Sequence, residues 1–185
     1  MGSEDERSDL KVENENNRSE KFVIGIIVSN HFGVLNRVAG LYGKRGYNID
    51  SLAVGVTENP DFSRMTIVST GNEYMREQVV RQLEKLHDVK KVILYDNDGT
   101  SSVEHMLIKI SANGDGVRIS ELINTYGGKV MCFGEGCILA EITGESEKID
   151  RFISEAEAFG IMEVCRSGLI SMGHKEESML DISDL

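Results

Sequence analysis

The 185-residue chain has no tryptophan, a single proline and only 6% aromatic residues, so its core has to be built from aliphatic side chains. Its three cysteines, Cys132, Cys137 and Cys165, are odd in number and make no disulfide framework. They read instead as small buried or half-buried thiols of a reducing compartment. The four histidines, at 31, 87, 105 and 174, are too scattered to complete a metal site around them. No apolar run approaches the roughly 18 residues of a membrane span. The start of the chain has neither the apolar run of a signal peptide nor the basic character of a transit peptide. A cytoplasmic protein is therefore expected. Positive charge is also short: 20 Lys and Arg face 31 Asp and Glu, a formal net charge of −11. That balance excludes nucleic acid as a partner, because phosphate binding needs a basic face.

The charge that is present concentrates at the ends. Residues 1–20 hold seven acids against three bases, and residues 171–185 hold four against one. The first segment has low hydrophobicity and no periodicity, which predicts a disordered acidic tail over 1–20; a second acidic tail is expected over 173–185.

Between the tails, the hydrophobic period alternates between strand and helix. "FVIGIIV" (22–28) reads as a buried strand. Residues 34–44 place Val34, Leu35, Val38, Leu41 and Tyr42 on one helical face, with Gly46 ending the helix. "IDSLAVGV" (49–56) and "RMTIVST" (64–70) read as strands, and 73–86 as a helix with Val79, Leu83 and Leu86 aligned. "VKKVILY" (89–95) is a fourth strand. After a polar stretch, "DNDGTSS", the order starts again about 80 residues on. Strand 103–110 leads to a helix over 115–126 with Val117, Leu122 and Ile123 apolar, then to the hairpin "KVMCFG"/"CILAEIT". A helix over 145–158 follows, with Ile149, Phe152, Ile153 and Ala156 inward, and a last strand over 161–170. The expected class is α+β, two tandem ferredoxin-like βαββαβ domains at 21–96 and 103–172, joined by a linker at 97–102. The sheet faces away from the helices, and the edge strands, are expected to be uncovered, a liability that sheet-edge pairing into a dimer would remove.

The stretch "SNHFGVLNRVAGLYGKRGYNID" (29–50) is the most informative. The first N–H groups of its helix have no partner within the helix and carry the positive end of the helix dipole, which suits an anion such as a carboxylate. Gly33, lacking Cβ, allows close approach of a ligand to the backbone. Asn30 offers both donor and acceptor atoms, matching a zwitterion's carboxylate and ammonium. The plainer alternative is that Asn30 and Gly33 only shape the turn and cap the helix.

The pattern N-x-x-G-V-L-x-R-V-x-G-L-x-x-x-R-G-Y-N-I-x-S-L, followed by S-R-M-T-I, resembles the N-terminal ACT domain of the regulatory (small) subunits of acetohydroxyacid synthase, also called acetolactate synthase. The likeness continues through "QLEKLHDVKKV", "VEHMLIKI" and "EVCRSGLI", over roughly 22–172. Ser29, Asn36 and Tyr42 depart from the usual acidic, small hydroxyl and Phe residues. The resemblance implies a first domain of ACT type and a chain without catalysis or cofactors of its own. It would bind and activate a catalytic subunit that carries thiamine diphosphate, a divalent metal and often FAD. It would also confer feedback inhibition by valine or another branched-chain amino acid. It further implies a homodimer through the ACT domains, with the effector at their interface. Asn30, Gly33, Val34 and Leu35 would come from one copy and Asn48 and Ile49 from the other, with Asn36 in the first helical turn beside them. The competing expectation is a stand-alone ACT-type sensor acting on another enzyme or a transcription regulator; a small enzyme on the same fold is the third.

For the last class the chain offers little. There is no glycine-rich nucleotide fingerprint. "GKRG" (43–46) straddles a helix end and is not a phosphate loop. His31 lies in the loop but shows no partner acid nearby in sequence. Arg37, Lys44 and Arg45 read as a solvated helix face or partner contacts, and "RSG" (166–168) as a strand-end turn or a partner contact.

Overall fold

A computed structural model of the chain describes residues 19–96, 98–174, 176 and 178–180. The acidic tail expected over 1–20 lies almost wholly outside the described residues, as does the end of the second tail. The described residues form two compact units. One contains those up to Thr100 and those from Gly173 onward; the other is Ser101–Met172.

In the first unit the elements are β1 (Glu20–Ser29), α1 (Val34–Lys44), β2 (Ser51–Val56), β3 (Phe62–Gly71), α2 (Glu73–Leu83) and β4 (Val89–Tyr95). The sheet is antiparallel in the order β2-β3-β1-β4. The second unit repeats the plan with β5 (Thr100–Ser111), α3 (Gly116–Thr125), β6 (Lys129–Gly134), β7 (Cys137–Gly144), α4 (Ser146–Ala156) and β8 (Ile161–Gly173), in the order β6-β7-β5-β8. This is the tandem α+β, βαββαβ architecture that the periodicity predicts. Each half folds this way because alternate residues of the central strands are apolar toward helices with a matching stripe.

The first core joins Ile24, Ile26 and Val28 of β1 and Met65 and Ile67 of β3 to Val34, Val38, Tyr42, Val79 and Leu83 of the helices. The second joins Met106, Ile108 and Ile110 to Ile119, Ile123, Ile149, Phe152 and Ala156. Phe152 meets Tyr126 edge-to-face at 5.3 Å.

Several expectations change in detail. Val117 is 74% exposed, and Ile119 takes the inward place instead, one helical turn before Ile123. Cys132 and Cys165 are exposed rather than buried, because they lie on the edge strands β6 and β8; only Cys137 is half-buried. The strand β5 begins at Thr100, inside the stretch read as linker. The face of the first sheet away from the helices is not bare: Ile27 and Val68, which alternation places there, are 1% and 2% exposed. On the neighbouring strand, Tyr95 lies across Gly25, where a Cβ would come within 2.6–2.9 Å of the ring and hydroxyl. The Tyr95 hydroxyl donates to the sulfur of Met179 at 3.3 Å, and Lys91 donates to the Ser178 carbonyl. Ser178 and Met179 thus pack against β4 within the first unit.

Tyr42 ends the buried stripe of α1 with its hydroxyl inside the core. That hydroxyl and the neighbouring Ser69 Oγ are both buried, and neither has a hydrogen bond of sound geometry among the described residues. Burial pushes the phenol up to about 12, against a weaker pull from Ser69. A buried hydroxyl without a partner is a net cost. Tyr42→Phe is therefore expected to raise stability by about 1 kcal/mol, read as a higher thermal midpoint; a lower midpoint would show that the hydroxyl is partnered.

Candidate functional site

The mouth of α1 is shaped by three chain segments. β1 ends at Ser29, whose N–H donates to the Asp88 carbonyl at 2.8 Å, in the turn between α2 and β4. The Asn30 backbone N–H then donates to the Asp61 carbonyl at 2.7 Å. Its side-chain amide donates to the Pro60 carbonyl at 2.9 Å and accepts from Ser63 Oγ at 3.1 Å. Asn30 therefore joins the loop to the β2–β3 connection that carries the only proline. One amide proton and one lone pair of the side chain remain beyond these bonds.

Gly33 is the N-cap residue of α1, with φ +84 and no side-chain cap. A left-handed residue here is what glycine permits at least cost. The first helical bond runs from Arg37 N–H to the Gly33 carbonyl at 3.0 Å. The N–H groups of Val34, Leu35 and Asn36 precede it and have no partner in the helix. No acid lies in the first turn to compensate them. A Cβ on Gly33 would meet nothing nearer than Arg37 Nη1, at 3.7 Å, so the face of the glycine is open.

The residues singled out by sequence fall into two groups. Asn30, Gly33, Val34, Leu35 and Asn36 cluster at the mouth. The Val34 side chain is 3% exposed and belongs to the core, so toward a ligand it offers its backbone only. Leu35 is 44% exposed and Asn36 is exposed. Asn48 and Ile49 lie past the other end of α1. Asn48 is exposed and donates to Asp50 Oδ1 at 2.7 Å, while Ile49 packs against the core margin. Eight helical residues, 37–44, lie between the two groups, roughly 12 Å of axis. One chain does not bring them together.

The fold also supplies what the sequence did not show. His31 does have an acid partner: its Nε2 lies 2.9 Å from Asp88 Oδ1, and its Nδ1 lies 3.1 Å from the Phe32 carbonyl. The second Asp88 oxygen accepts from Arg37 Nε at 2.5 Å. Burial alone would raise the Asp88 carboxyl; Arg37 first, then His31, outweigh it and hold the group below its ordinary value. Phe32, at the tip of the loop, is fully exposed. Asp88 was missed because 57 residues separate it from His31, and nothing local marks the pairing.

In the second unit, the structure corrects the strand-end reading of Arg166 in "RSG". Arg166 lies within β8, not at its end, and its fork grips Glu104 on β5. Nε donates to Oε1 at 2.9 Å and Nη2 to Oε2 at 2.6 Å, while Nη1 reaches Asp150 on α4 at 2.7 Å. This pairing with Glu104 holds the guanidinium proton even more firmly than in free arginine. The motif is an internal clamp of the domain. Among the described residues, no cluster of three or more His, Cys, Asp or Glu side chains is placed to hold a metal, and no helix is long and apolar enough to cross a membrane.

Comparison with known proteins follows the same two units. Residues 24–91 match the small subunit-like ACT domain of acetohydroxyacid synthase, and residues 103–175 match the family described as small subunit of acetolactate synthase. The probable acetolactate synthase small subunit of Methanothermobacter thermautotrophicus is 38% identical over 160 residues, 85% of this chain and 95% of that protein. The acetolactate synthase small subunit of Mycobacterium bovis is 38% identical over 150 residues, 80% of this chain and 89% of its own length. The crystal structure of the small subunit from Thermotoga maritima superposes with a TM-score of 0.79 at 31% identity, covering 83% of this chain and 97% of that one. With both domains matched in order and nearly the full length of each relative spanned, this chain belongs to the acetolactate synthase small subunit family.

Proposed function

We propose that the chain is the non-catalytic regulatory subunit of an acetolactate synthase. It activates the thiamine-diphosphate-dependent catalytic subunit and makes that enzyme sensitive to valine or another branched-chain amino acid. The effector lies between two ACT domains of a homodimer. Asn30, Gly33, Val34, Leu35 and Asn36 of one copy form the floor, and Asn48 and Ile49 of the other close it.

The observation that carries this reading is the mouth of α1. It combines free amide groups, a left-handed glycine with an open face and a nearby guanidinium. This chemistry suits the carboxylate of a small amino acid. The placement of the two residue groups at opposite ends of α1 favours a site shared between copies. The edge strand β2 offers a surface for the pairing, with Val54 and Val56 49% and 62% exposed.

An effector shifts the enzyme only by binding one state better than another. Coupling of about 1–3 kcal/mol gives roughly 5–150-fold modulation. One methylene in an apolar pocket is worth about 1–3 kcal/mol, so valine, leucine and isoleucine are graded rather than absolutely distinguished. The test is to mix the purified chain with the catalytic subunit and follow acetolactate formation with and without each amino acid. Higher activity on mixing, reversed by valine or one of its relatives, is the expected result. No gain on mixing, with a thermal shift by an amino acid on the chain alone, would favour the stand-alone sensor.

A further inference from the structure

Asp88 belongs to neither group of proposed effector residues, yet three parts of the mouth converge on it. It sits in the turn before β4 and is 8% exposed. Its carbonyl receives the last N–H of β1, from Ser29. One carboxylate oxygen faces His31 in the loop and the other takes Arg37 Nε from the first turn of α1. The loop that contains Gly33 is therefore held at both ends by one residue, through its backbone carbonyl before the loop and its carboxylate at His31 and at Arg37 after it.

The consequence for Arg37 is directional. With Nε committed to Asp88, the guanidinium is turned back along the helix start. Its Nη1 comes to 3.7 Å from the point where a Cβ on Gly33 would stand. An arginine on an exposed helix face has many rotamers of similar energy. A charge-assisted bond to a nearly buried carboxylate selects one of them.

We propose that Asp88 is a positioning residue for effector control. It locks His31 and Arg37 together, and so fixes the loop geometry at Gly33 and keeps a cation facing the mouth. The inference rests on the mouth being the effector site, and it names the residue that governs that site's affinity from outside it. Asparagine at this position would have nearly the same shape but no charge, and its single oxygen could face Arg37 or His31 but not both, with an NH2 in place of the other oxygen. Loop and arginine would then be uncoupled.

The experiment uses the full chain mixed with the catalytic subunit. Asp88→Asn is expected to raise the valine concentration for half-inhibition by about tenfold, the scale of a lost charge-assisted hydrogen bond. Arg37→Met, at a half-exposed position on α1, is expected to give a similar shift. The double variant is expected to be little worse than either single one, because both break the same device. General destabilisation would instead lower the thermal midpoint while leaving the half-inhibitory concentration in place. That outcome, or full additivity of the two substitutions, overturns the inference. Should Asp88→Asn fail to fold, the Arg37→Met shift decides alone, and no shift overturns it. An unaltered holoenzyme that ignores valine, leucine and isoleucine would sink the effector reading itself, and this inference with it; normal inhibition of the unaltered form with unchanged variants sinks only the role of Asp88.

Discussion

Arg166→Ala is expected to destabilise the second domain by about 3–5 kcal/mol, the scale for removing one partner of a buried ion pair. The reason is the state of Glu104, whose side chain is 6% exposed beneath the guanidinium fork. With the arginine gone, the Ser146 hydroxyl, at 3.3 Å, is the only group among the described residues shown within hydrogen-bonding reach of the carboxylate. Against a total stability of about 5–15 kcal/mol, a loss of that size removes a large share of the folding margin. Arg166→Lys keeps the charge but not the planar fork, and falls between the two. Replacing both partners, Glu104→Leu with Arg166→Met, is expected to cost far less, because no uncompensated charge is left. The chain has no tryptophan, so urea unfolding is best followed by far-ultraviolet circular dichroism. A loss under about 1 kcal/mol for Arg166→Ala, the range of an exposed pair, would show that the clamp does not bear on stability.

Gly33→Asp is expected to abolish inhibition by the branched-chain effector, removing the whole of the roughly 5–150-fold modulation such coupling supplies. Two effects act together. The new carboxylate stands at the helix mouth, where the effector's own carboxylate would sit, and repels it. It also lies within reach of Arg37, whose Nη1 is 3.7 Å from the new Cβ, and would satisfy that cation internally. Strain adds to this, since φ at Gly33 is +84. Aspartate is among the residues that tolerate the left-handed region best, so folding should survive. Gly33→Ala separates the terms, because it carries at least as much strain and no charge. It is expected to weaken inhibition less than aspartate does. The measurement is a valine titration of the mixed holoenzyme, read as the ratio of inhibited to uninhibited rate. A Gly33→Asp holoenzyme with normal sensitivity would move the effector away from the mouth of α1.

Both predictions turn on side chains, and the two were not equally legible. Gly33 was visible in the sequence because its signal is local: a glycine directly before an apolar helical stripe, in a turn of polar residues. The element order was visible for the same reason. Periods of 2 and 3.6 are written within each segment, and eleven of the residues they marked as helical, 34–44, are those of α1. The phase of α3 was less secure. Val117 and Ile119 are both apolar, and only the sheet beneath them decides that Ile119 goes in and Val117 out. The exposure of Cys132 and Cys165 follows from strand order, which places β6 and β8 at the sheet edges.

What the sequence determined by itself is the repeated βαββαβ plan, the aliphatic cores and the glycine-led mouth of the first helix, because each depends on residues within a few positions of one another. What the tertiary structure alone decided is how charge is arranged. His31 meets Asp88 across 57 residues, and Arg166 meets Glu104 across 62. Such pairings carry no local signature. They exist because packing of the sheets brings distant acids and bases to sheltered places, where an unpaired charge would be too costly to leave.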